Sequence, residues 1–374
     1  MFISFLGLGQ GGSNLADVAA SRGFRAASIN YSQRDLDSLE NIELKLKLVG
    51  SEGIGKIRSE AIRLMNNNWD LAINFVKENF SHSSIEIIFV PFATGGGSGA
   101  GIAPVLLSLL QETLPGKVFV AMPIIPDLSE AFTTQRNCLE TFEDISDLNM
   151  CVLPVDNDKA HSTKLNIGKN RLYEKVNTRV IEIIKRLVDY TNKESNYGVL
   201  DRKDLKNLFN VKGIASIAET NIATLEVVNN LNEKAVSNNI RQSWATSCFT
   251  DIEIKKVVSA GLIYDGQTEF MDYVNLTDLF SVFQNKMPLN MYEGYYKNNK
   301  DGRVITVLTG LNWCNSRLEM IDELLQSIAT EFNGQSEEVK YQSKTIHIPT
   351  VTTKEPTKVN DISSLINKFK RQPK

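Results

Sequence analysis

Phe92-Ala93-Thr94-Gly95-Gly96-Gly97-Ser98-Gly99-Ala100-Gly101 is the stretch that decides how the rest of this 374-residue chain is read. Five glycines fall within its last seven residues. They have no side chains to pack, and they offer exposed backbone N–H groups and free dihedral angles. The run before it, Ile85-Glu86-Ile87-Ile88-Phe89-Val90-Pro91, reads as a buried strand. The run after it, Ile102-Ala103-Pro104-Val105-Leu106-Leu107, reads as a helix with proline near its first turn. A glycine loop set at a helix N-terminus cradles an anion, most often a phosphate. Thr94 and Ser98 add hydroxyl donors. A tight turn needs one or two glycines, so five wedged between strand and helix point to a ligand.

Toward the N-terminus, residues 2–8 read as a first strand and residues 15–23 as a helix. Between them lies a second glycine loop, Gly9-Gln10-Gly11-Gly12-Ser13-Asn14. Gly7, Gly9 and Gly12 spell G-x-G-x-x-G, the dinucleotide fingerprint. That reading asks for an acid at the end of the next strand, residues 26–29, where Asn30-Tyr31-Ser32-Gln33 stands instead. Further on, Gly50-Ser51-Glu52-Gly53-Ile54-Gly55-Lys56 matches G-x-x-x-x-G-K, but Ile57 replaces the Ser or Thr that holds Mg²⁺ in a P-loop. The preceding residues 43–49 alternate like an exposed strand. The segment is read as a third anion-facing loop.

Residues 57–80 read as one helix, 117–123 as a strand, 129–148 as a helix and 151–155 as a strand. This alternation predicts a parallel sheet with helices on both faces and a ligand at the carboxyl ends of its strands. Apolar residues recur at helical spacing from 169 to 191, a helix of roughly 30 Å at about 1.5 Å per residue. Beyond it, strands are expected at 213–218, 255–263 and 303–309. Helices are expected at 222–238, 250–254, 276–284 and 316–332. From Gly334 the composition turns to Ser, Thr, Lys and Glu, which reads as a flexible tail. The tail holds eight Lys and Arg against four acids, so of the net charge of −3 it carries +4 and the rest of the chain −7. Its end places Ile362, Leu365, Ile366 and Phe369 on one helical face, equally consistent with a docking helix and a solvated tail.

Hydrophobic residues at 42% and charged residues at 23% are globular values. The acidic balance argues against a protein that binds DNA by itself. Four scattered cysteines and three separated histidines give no support to a zinc site or a Cys/His nucleophile. Reduced thiols, a cytoplasmic location and no membrane span are expected.

Residues 94–101 resemble the tubulin/FtsZ signature G-G-G-T-G-[ST]-G, and residues 9–14 look like that family's first phosphate loop. The long helix after a Rossmann-like half looks like its central helix, and the resemblance runs in order from residue 1 to about 332. It implies an α/β fold: a GTP-binding domain over 1–168, a central helix and catalytic-loop entry over 169–200, a smaller α/β domain over 201–333 and a tail over 334–374. Gln10, Gly11, Gly12 and Asn14 would meet the phosphates of GTP or GDP. Gly95, Gly96, Gly97, Ser98 and Gly99 would wrap them beside Thr94, with Ser98 where the family usually has Thr. Glu130 falls where a carboxylate binds the ribose, Tyr173 where a ring stacks on guanine, and Asn177 where an amide reads the guanine edge. Positions four apart share one helix face, so ring and amide can engage one base. Asn30 is another base-side position. Mg²⁺ would sit beside the phosphates, although no acidic motif demands it.

In this family the loop after the central helix reaches the nucleotide of the next subunit, in FtsZ with the pattern N-x-D-x-x-D. Asp201 and Asp204 keep the acid spacing, while Val199 replaces the Asn. Asp204 is favoured over Asp201 as the residue that polarises water, and an Asp here equally suits a helix N-cap. Gln10, the variant Thr94/Ser98 loop and the basic end look more like the plasmid- and phage-borne TubZ branch. That resemblance implies treadmilling head-to-tail filaments that segregate DNA through a DNA-bound adaptor of TubR type, engaged by residues 334–374. The alternative it leaves is a divergent division or DNA-positioning filament.

Overall fold

The computed structural model describes residues 1–159, 168–229 and 231–334. The expected tail lies outside the described residues. Strand β1 (Ile3–Leu8) passes directly into helix α1 (Gly9–Ser21). The helix therefore begins six residues before the expected 15, because the second glycine loop is its first turn rather than a separate loop. Next come β2 (Arg25–Asn30), α2 (Gln33–Asp37) and β3 (Leu44–Lys47). The single helix expected over 57–80 is two, α3 (Arg58–Met65) and α4 (Trp69–Phe80). The break falls at Asn68, which is 1% exposed. Its amide donates to Leu64 O at 2.8 Å and exchanges hydrogen bonds with the backbone of Val49 at 2.7 and 2.9 Å. A side chain that competes for backbone partners in this way interrupts a helix.

Strand β4 (Ile87–Ala93), helix α5 (Ser98–Thr113), β5 (Val118–Ile125) and α6 (Phe132–Ser146) follow. The strand expected over 151–155 is split into β6 (Cys151–Val152) and β7 (Val155–Asp156), both parallel to β5. Pro154, which has no N–H for a ladder, lies in the gap. Across this half the order is β3-β2-β1-β4-β5-β6, all parallel. It is the doubly wound order, and the crevice of such a sheet opens where the winding reverses, between β1 and β4. The register Leu8↔Phe92 aligns the carboxyl ends of those two strands. Both glycine loops therefore emerge side by side.

Apolar side chains fill both faces of the sheet. One core gathers Ala61, Ile102 and Leu106 from the α3 and α5 side, and the other gathers Leu15, Ala16 and Ala19 of α1. The long helix α7 (Lys169–Tyr190) lies on the α1 face, where Val180, Ile183, Ile184 and Leu187 are buried.

The second half contains α8 (Arg202–Phe209), β8 (Gly213–Asn221), α9 (Leu225–Asn229), α10 (Glu233–Thr246) and β9 (Ser259–Asp265). It ends with α11 (Thr268–Met271), α12 (Leu276–Phe280), β10 (Asn290–Tyr296), β11 (Arg303–Leu311) and α13 (Asn315–Gly334). Its strands extend the same sheet as β6-β8-β11-β9-β10, joined to the first half by Cys151↔Gly213 and Val152↔Ile214. Charged side chains reinforce this narrow seam. Glu219 on β8 pairs with Arg179 and Arg186 of α7 and with Arg303 of β11 at 3.3, 2.7 and 3.2 Å. The buried Arg317 of α13 grips Asp156 at 2.8 and 3.2 Å and donates to Pro126 O at 2.9 Å.

Four expectations in this half change. The helix expected over 222–238 is two, because Asn232 caps α10 by accepting from Ala235 N at 2.9 Å. The short helix at 250–254 does not form, because Thr250 N donates to Pro154 O and Phe249 bridges Val155. Strand β9 begins at Ser259 rather than 255, the helix expected over 276–284 ends at Phe280, and β10 and α11 were not expected at all.

Candidate functional site

A cavity of about 570 Å³ opens at the carboxyl ends of β1 and β4, within the size range of small-molecule sites. Two helices begin at its wall, α1 at Gly9 and α5 at Ser98. Neither has a side-chain N-cap or an acidic residue in its first turn. Their first N–H groups and the positive ends of their dipoles are thus left for a ligand anion. The glycines hold these two turns together. A Cβ on Gly12 would lie 2.0 Å from Pro91 O, and one on Gly99 would lie 2.7 Å from Leu8 O. Gly96 differs. A Cβ there meets nothing nearer than Ala93 O at 3.8 Å, so the space left by its missing side chain belongs to the cavity.

Of the residues expected at the site, Gln10, Gly11, Asn14, Gly95, Gly96, Gly97, Ser98, Gly99, Glu130, Tyr173 and Asn177 all line this one cavity. They come from four separate elements. Tyr173 and Asn177 project from consecutive turns of α7. The Tyr173 hydroxyl donates to Glu130 at 2.6 Å. Burial, and then the neighbouring Glu130 carboxylate, raise the Tyr173 pKa, so this hydroxyl keeps its proton.

Three expected residues are placed elsewhere. Thr94 is fully buried, and its N–H and hydroxyl both donate to Ile124 O at 3.1 and 2.8 Å. It therefore fastens β4 to β5 instead of facing the cavity. Gly12 packs beneath the cavity against β4. Asn30 is also fully buried and shapes the turn into α2, accepting from Tyr31 N at 2.8 Å and donating to Asp35 at 3.0 Å.

Ser32, Asp35, Thr134 and Asn157 line the cavity without having been expected there. Ser32 caps α2 by accepting from Asp35 N. Its S-x-x-D spacing after a strand was the sequence signal that could have placed Asp35 at a helix start. Thr134 lies in the first turn of α6, just after the loop that carries Glu130. The third loop arrives as expected, with Gly53, Ile54, Gly55 and Lys56 on the cavity wall.

Asp201 and Asp204 do not line this cavity. Asp201 is the N-cap of α8, accepting from Lys203 N at 2.7 Å and Asp204 N at 2.9 Å. Asp204 Oδ2 accepts from Asp201 N at 2.9 Å, which completes a capping box. Both carboxylates are thus at a helix start, as an N-cap role requires. Burial pushes the Asp204 carboxyl upward. Helix α8 is moored at the opposite end of the sheet. Arg202 donates to Ser84 O at 2.9 Å, and Arg202 and Lys206 pair with Glu86, just before β4 begins.

Among the described residues, no three His, Cys, Asp or Glu side chains converge to hold a metal ion. In the cavity, Asp35 faces Asn30 and Glu130 faces Tyr173. A protein-held magnesium site does not fit these residues. Cys138, Cys151 and Cys314 are buried free thiols, and burial pushes those of Cys138 and Cys314 up to about 12. No described helix is long and apolar enough to cross a membrane.

The model of the "Tubulin/FtsZ family, GTPase domain" matches residues 3–163, the span that carries both glycine loops and Glu130. Over those residues the chain is similar to a tubulin/FtsZ-family GTPase domain. Two relatives extend the similarity through this domain and beyond it. The tubulin-like protein CetZ of Pyrococcus horikoshii is 25% identical over 346 residues, covering 89% of this chain and 92% of its own length. The tubulin-like protein TubZ of Clostridium botulinum C phage is 24% identical over 328 residues, covering 87% and 83%. In three dimensions, the GTPγS-form protofilament of Bacillus thuringiensis serovar israelensis TubZ matches with a TM-score of 0.76 at 17% identity. That match covers 89% of this chain and 94% of the other, so the tubulin/FtsZ fold extends through both halves.

Proposed function

We propose that the protein is a GTP-dependent polymerising GTPase whose active site is completed by the next copy in a head-to-tail filament. The observation that carries this reading is the polarity of the sheet. The phosphate-cradling loops leave the carboxyl end of β4, while α8 and its two aspartates are moored beside the amino end. Seven residues of β4 separate those ends, about 20 Å at roughly 3.3 Å per residue. Asp201 and Asp204 are too far away to serve their own cavity. Stacking two copies end to end would bring the aspartates of one over the cavity of the other. There they would orient the attacking water, while uncapped helix turns stabilise phosphate charge. Gln10, Asn14, Gly95, Gly96, Gly97, Ser98 and Gly99 bind the phosphates in this reading. Glu130 binds the ribose, and Tyr173 and Asn177 bind guanine.

Light scattering and phosphate release, followed together with GTP, GDP or no nucleotide, test it. The expected result is scattering that needs GTP, with hydrolysis switching on above a threshold protein concentration. Hydrolysis linear in protein without scattering would mean a self-contained site and would refute the proposal.

The finer role we propose is DNA segregation, with residues 334–374 engaging a DNA-bound adaptor of TubR type. The phage relative named TubZ and the net charge of +4 in that segment support it. Deleting residues 335–374 should abolish adaptor binding and leave GTP binding intact. Adaptor binding by the shortened protein would refute the assignment. The relatives named CetZ rather than TubZ favour a second reading, a divergent division or DNA-positioning filament protein. A neighbouring gene for a small helix-turn-helix protein favours segregation over it.

A further inference from the structure

Arg317, near the start of α13, reaches the edge of the cavity from the second half of the chain. It is 4% exposed, and its partner Asp156 is 1% exposed. Its Nε and Nη2 donate to the two Asp156 carboxylate oxygens at 2.8 and 3.2 Å, and Nη2 also donates to Pro126 O at 2.9 Å. Pro126 lines the cavity, and so does Asn157, the residue after Asp156. A buried ion pair is weak evidence for stability, because its desolvation cost can exceed its Coulombic gain. What a guanidinium adds is direction, since its planar fork fixes the groups that it bridges. Here it bridges the carboxyl ends of β5 and β7, which are paired through Ile125↔Asp156.

The residues that follow β5 depend on this hold. Residues 126–131 belong to neither strand nor helix, and Pro126 has no N–H to give to a ladder. Their ties run back to Arg317. The Asp156 carboxylate that Arg317 grips accepts from Asp158 N at 3.0 Å, and the Asp158 carboxylate accepts from Leu128 N at 3.4 Å. Asp127 then folds the loop on itself. Its side chain accepts from Ser129 N at 2.7 Å, and its carbonyl accepts from Glu130 N at 3.0 Å. Gln135 of α6 donates to the same carbonyl at 2.6 Å. The loop thus delivers Glu130 to the Tyr173 hydroxyl. A chain of hydrogen bonds runs from α13 to the carboxylate at the cavity wall.

We propose that Arg317 is the positioning residue for the ribose side of this site. By fixing the base of the 126–131 loop it sets where the Glu130 carboxylate stands, and so how well the site holds a nucleotide through its ribose hydroxyls. In the nucleotide reading given above, on which this rests, Glu130 binds those hydroxyls. Arg317 itself does not line the cavity, so its effect travels through Glu130.

The test is calorimetric binding of GDP and of 2′,3′-dideoxy-GDP, which lacks both hydroxyls, to the full chain, Arg317→Lys, Glu130→Gln and the double variant. Lysine keeps a cation beside Asp156 but has no fork to hold Pro126 O at the same time. Glu130→Gln should weaken GDP roughly tenfold, as expected for loss of hydrogen bonds to a charged group, and leave dideoxy-GDP within about twofold. Arg317→Lys should show the same selectivity at a smaller size, roughly three- to tenfold for GDP. Because both act on one contact, the double variant should bind GDP within about twofold of Glu130→Gln alone. Arg317→Met combined with Asp156→Asn leaves no buried charge unpaired. That neutral pair should repeat the Arg317→Lys pattern, and it carries the test if lysine lowers the urea midpoint. An Arg317→Lys chain that binds GDP as the wild type does would overturn the inference. Equal losses for both ligands, or losses that multiply in the double variant, would overturn it as well, because they mark a general structural role. A wild type that binds neither ligand would instead bring down the nucleotide reading, and a Glu130→Gln chain that weakens both alike would bring down the ribose assignment, in each case with this inference.

Discussion

Replacing Gly96 by Ala should separate folding from ligand binding, because the position demands glycine for one and not for the other. Gly96 lies outside the left-handed backbone region, and the added methyl would contact no protein atom closer than 3.8 Å. An alanine compatible with the native backbone stabilises a fold by about 0.4–1 kcal/mol, chiefly by restricting the unfolded chain. The denaturant midpoint of Gly96→Ala should therefore equal or slightly exceed that of the wild type. The methyl would occupy the space a phosphate needs to approach the loop. Losing one hydrogen bond to a charged group costs about 1.5–3 kcal/mol, or roughly 10- to 150-fold in affinity at about 1.4 kcal/mol per decade. Titration with GTPγS beside urea denaturation provides the assay. Gly97→Ala is the contrasting control, since its Cβ would lie 2.7 Å from Ile54 Cγ2 and should cost stability. Binding by Gly96→Ala within twofold of wild type would refute the cradle, and a lowered midpoint would refute the claim that the space is empty of protein.

Four further outcomes are expected. Arg317→Ala leaves the buried Asp156 carboxylate without its guanidinium and should cost about 3–5 kcal/mol in chemical denaturation. Asp201→Ala removes the α8 N-cap and should cost about 0.5–2 kcal/mol, whereas Asp204→Asn should fold normally, assemble with GTP and release phosphate more slowly in the coupled scattering assay. Hydrogen bonds from the Ser316 hydroxyl and N–H hold the Glu253 carboxyl below its ordinary value. The folded state therefore binds that proton less tightly, so the contribution is present above the ordinary carboxyl range and is lost as pH falls through the depressed value. Glu253→Gln should flatten the acid limb of a stability profile measured between pH 3 and 7.

The first half was legible because parallel strands buried on both faces appear as unbroken apolar runs, as in Ile87-Ile88-Phe89-Val90. Glycine loops mark where such strands end. Direction was harder to read than location. Thr94 supplies a hydroxyl at the right place in the sequence, but the register of β4 on β5 turns it toward Ile124 O. Asn30 reads as a base contact until its amide is seen shaping the turn to Asp35. Strand β10 escaped because Asn290-Met291-Tyr292-Glu293-Gly294-Tyr295-Tyr296 is an edge strand whose burial is mostly partial, which leaves little alternation to detect. Lys56 was visible as a motif residue, yet its aim depends on Asn137, 81 positions away.

Helix α7 links the two ends on which the proposed mechanism depends. Its first turns carry Tyr173 and Asn177 into the cavity, and its last residue, Tyr190, donates to Asp265 of β9 at 2.7 Å. The segment leaving α7 is then bound to β10, through Tyr295 N to Gly198 O at 3.1 Å, before it reaches the Asp201 cap. With 22 residues at about 1.5 Å each, α7 is a rod of roughly 33 Å. Glu219 clamps its middle through Arg179 and Arg186. A ligand that shifts Tyr173 must therefore move the rod against Glu219 or leave it in place, because a packed helix does not bend without a proline, a bulge or an inserted group. One continuous element thus fixes both the cavity face that carries Tyr173 and Asn177 and the position of the Asp201 cap, the two ends that the proposed filament would bring together.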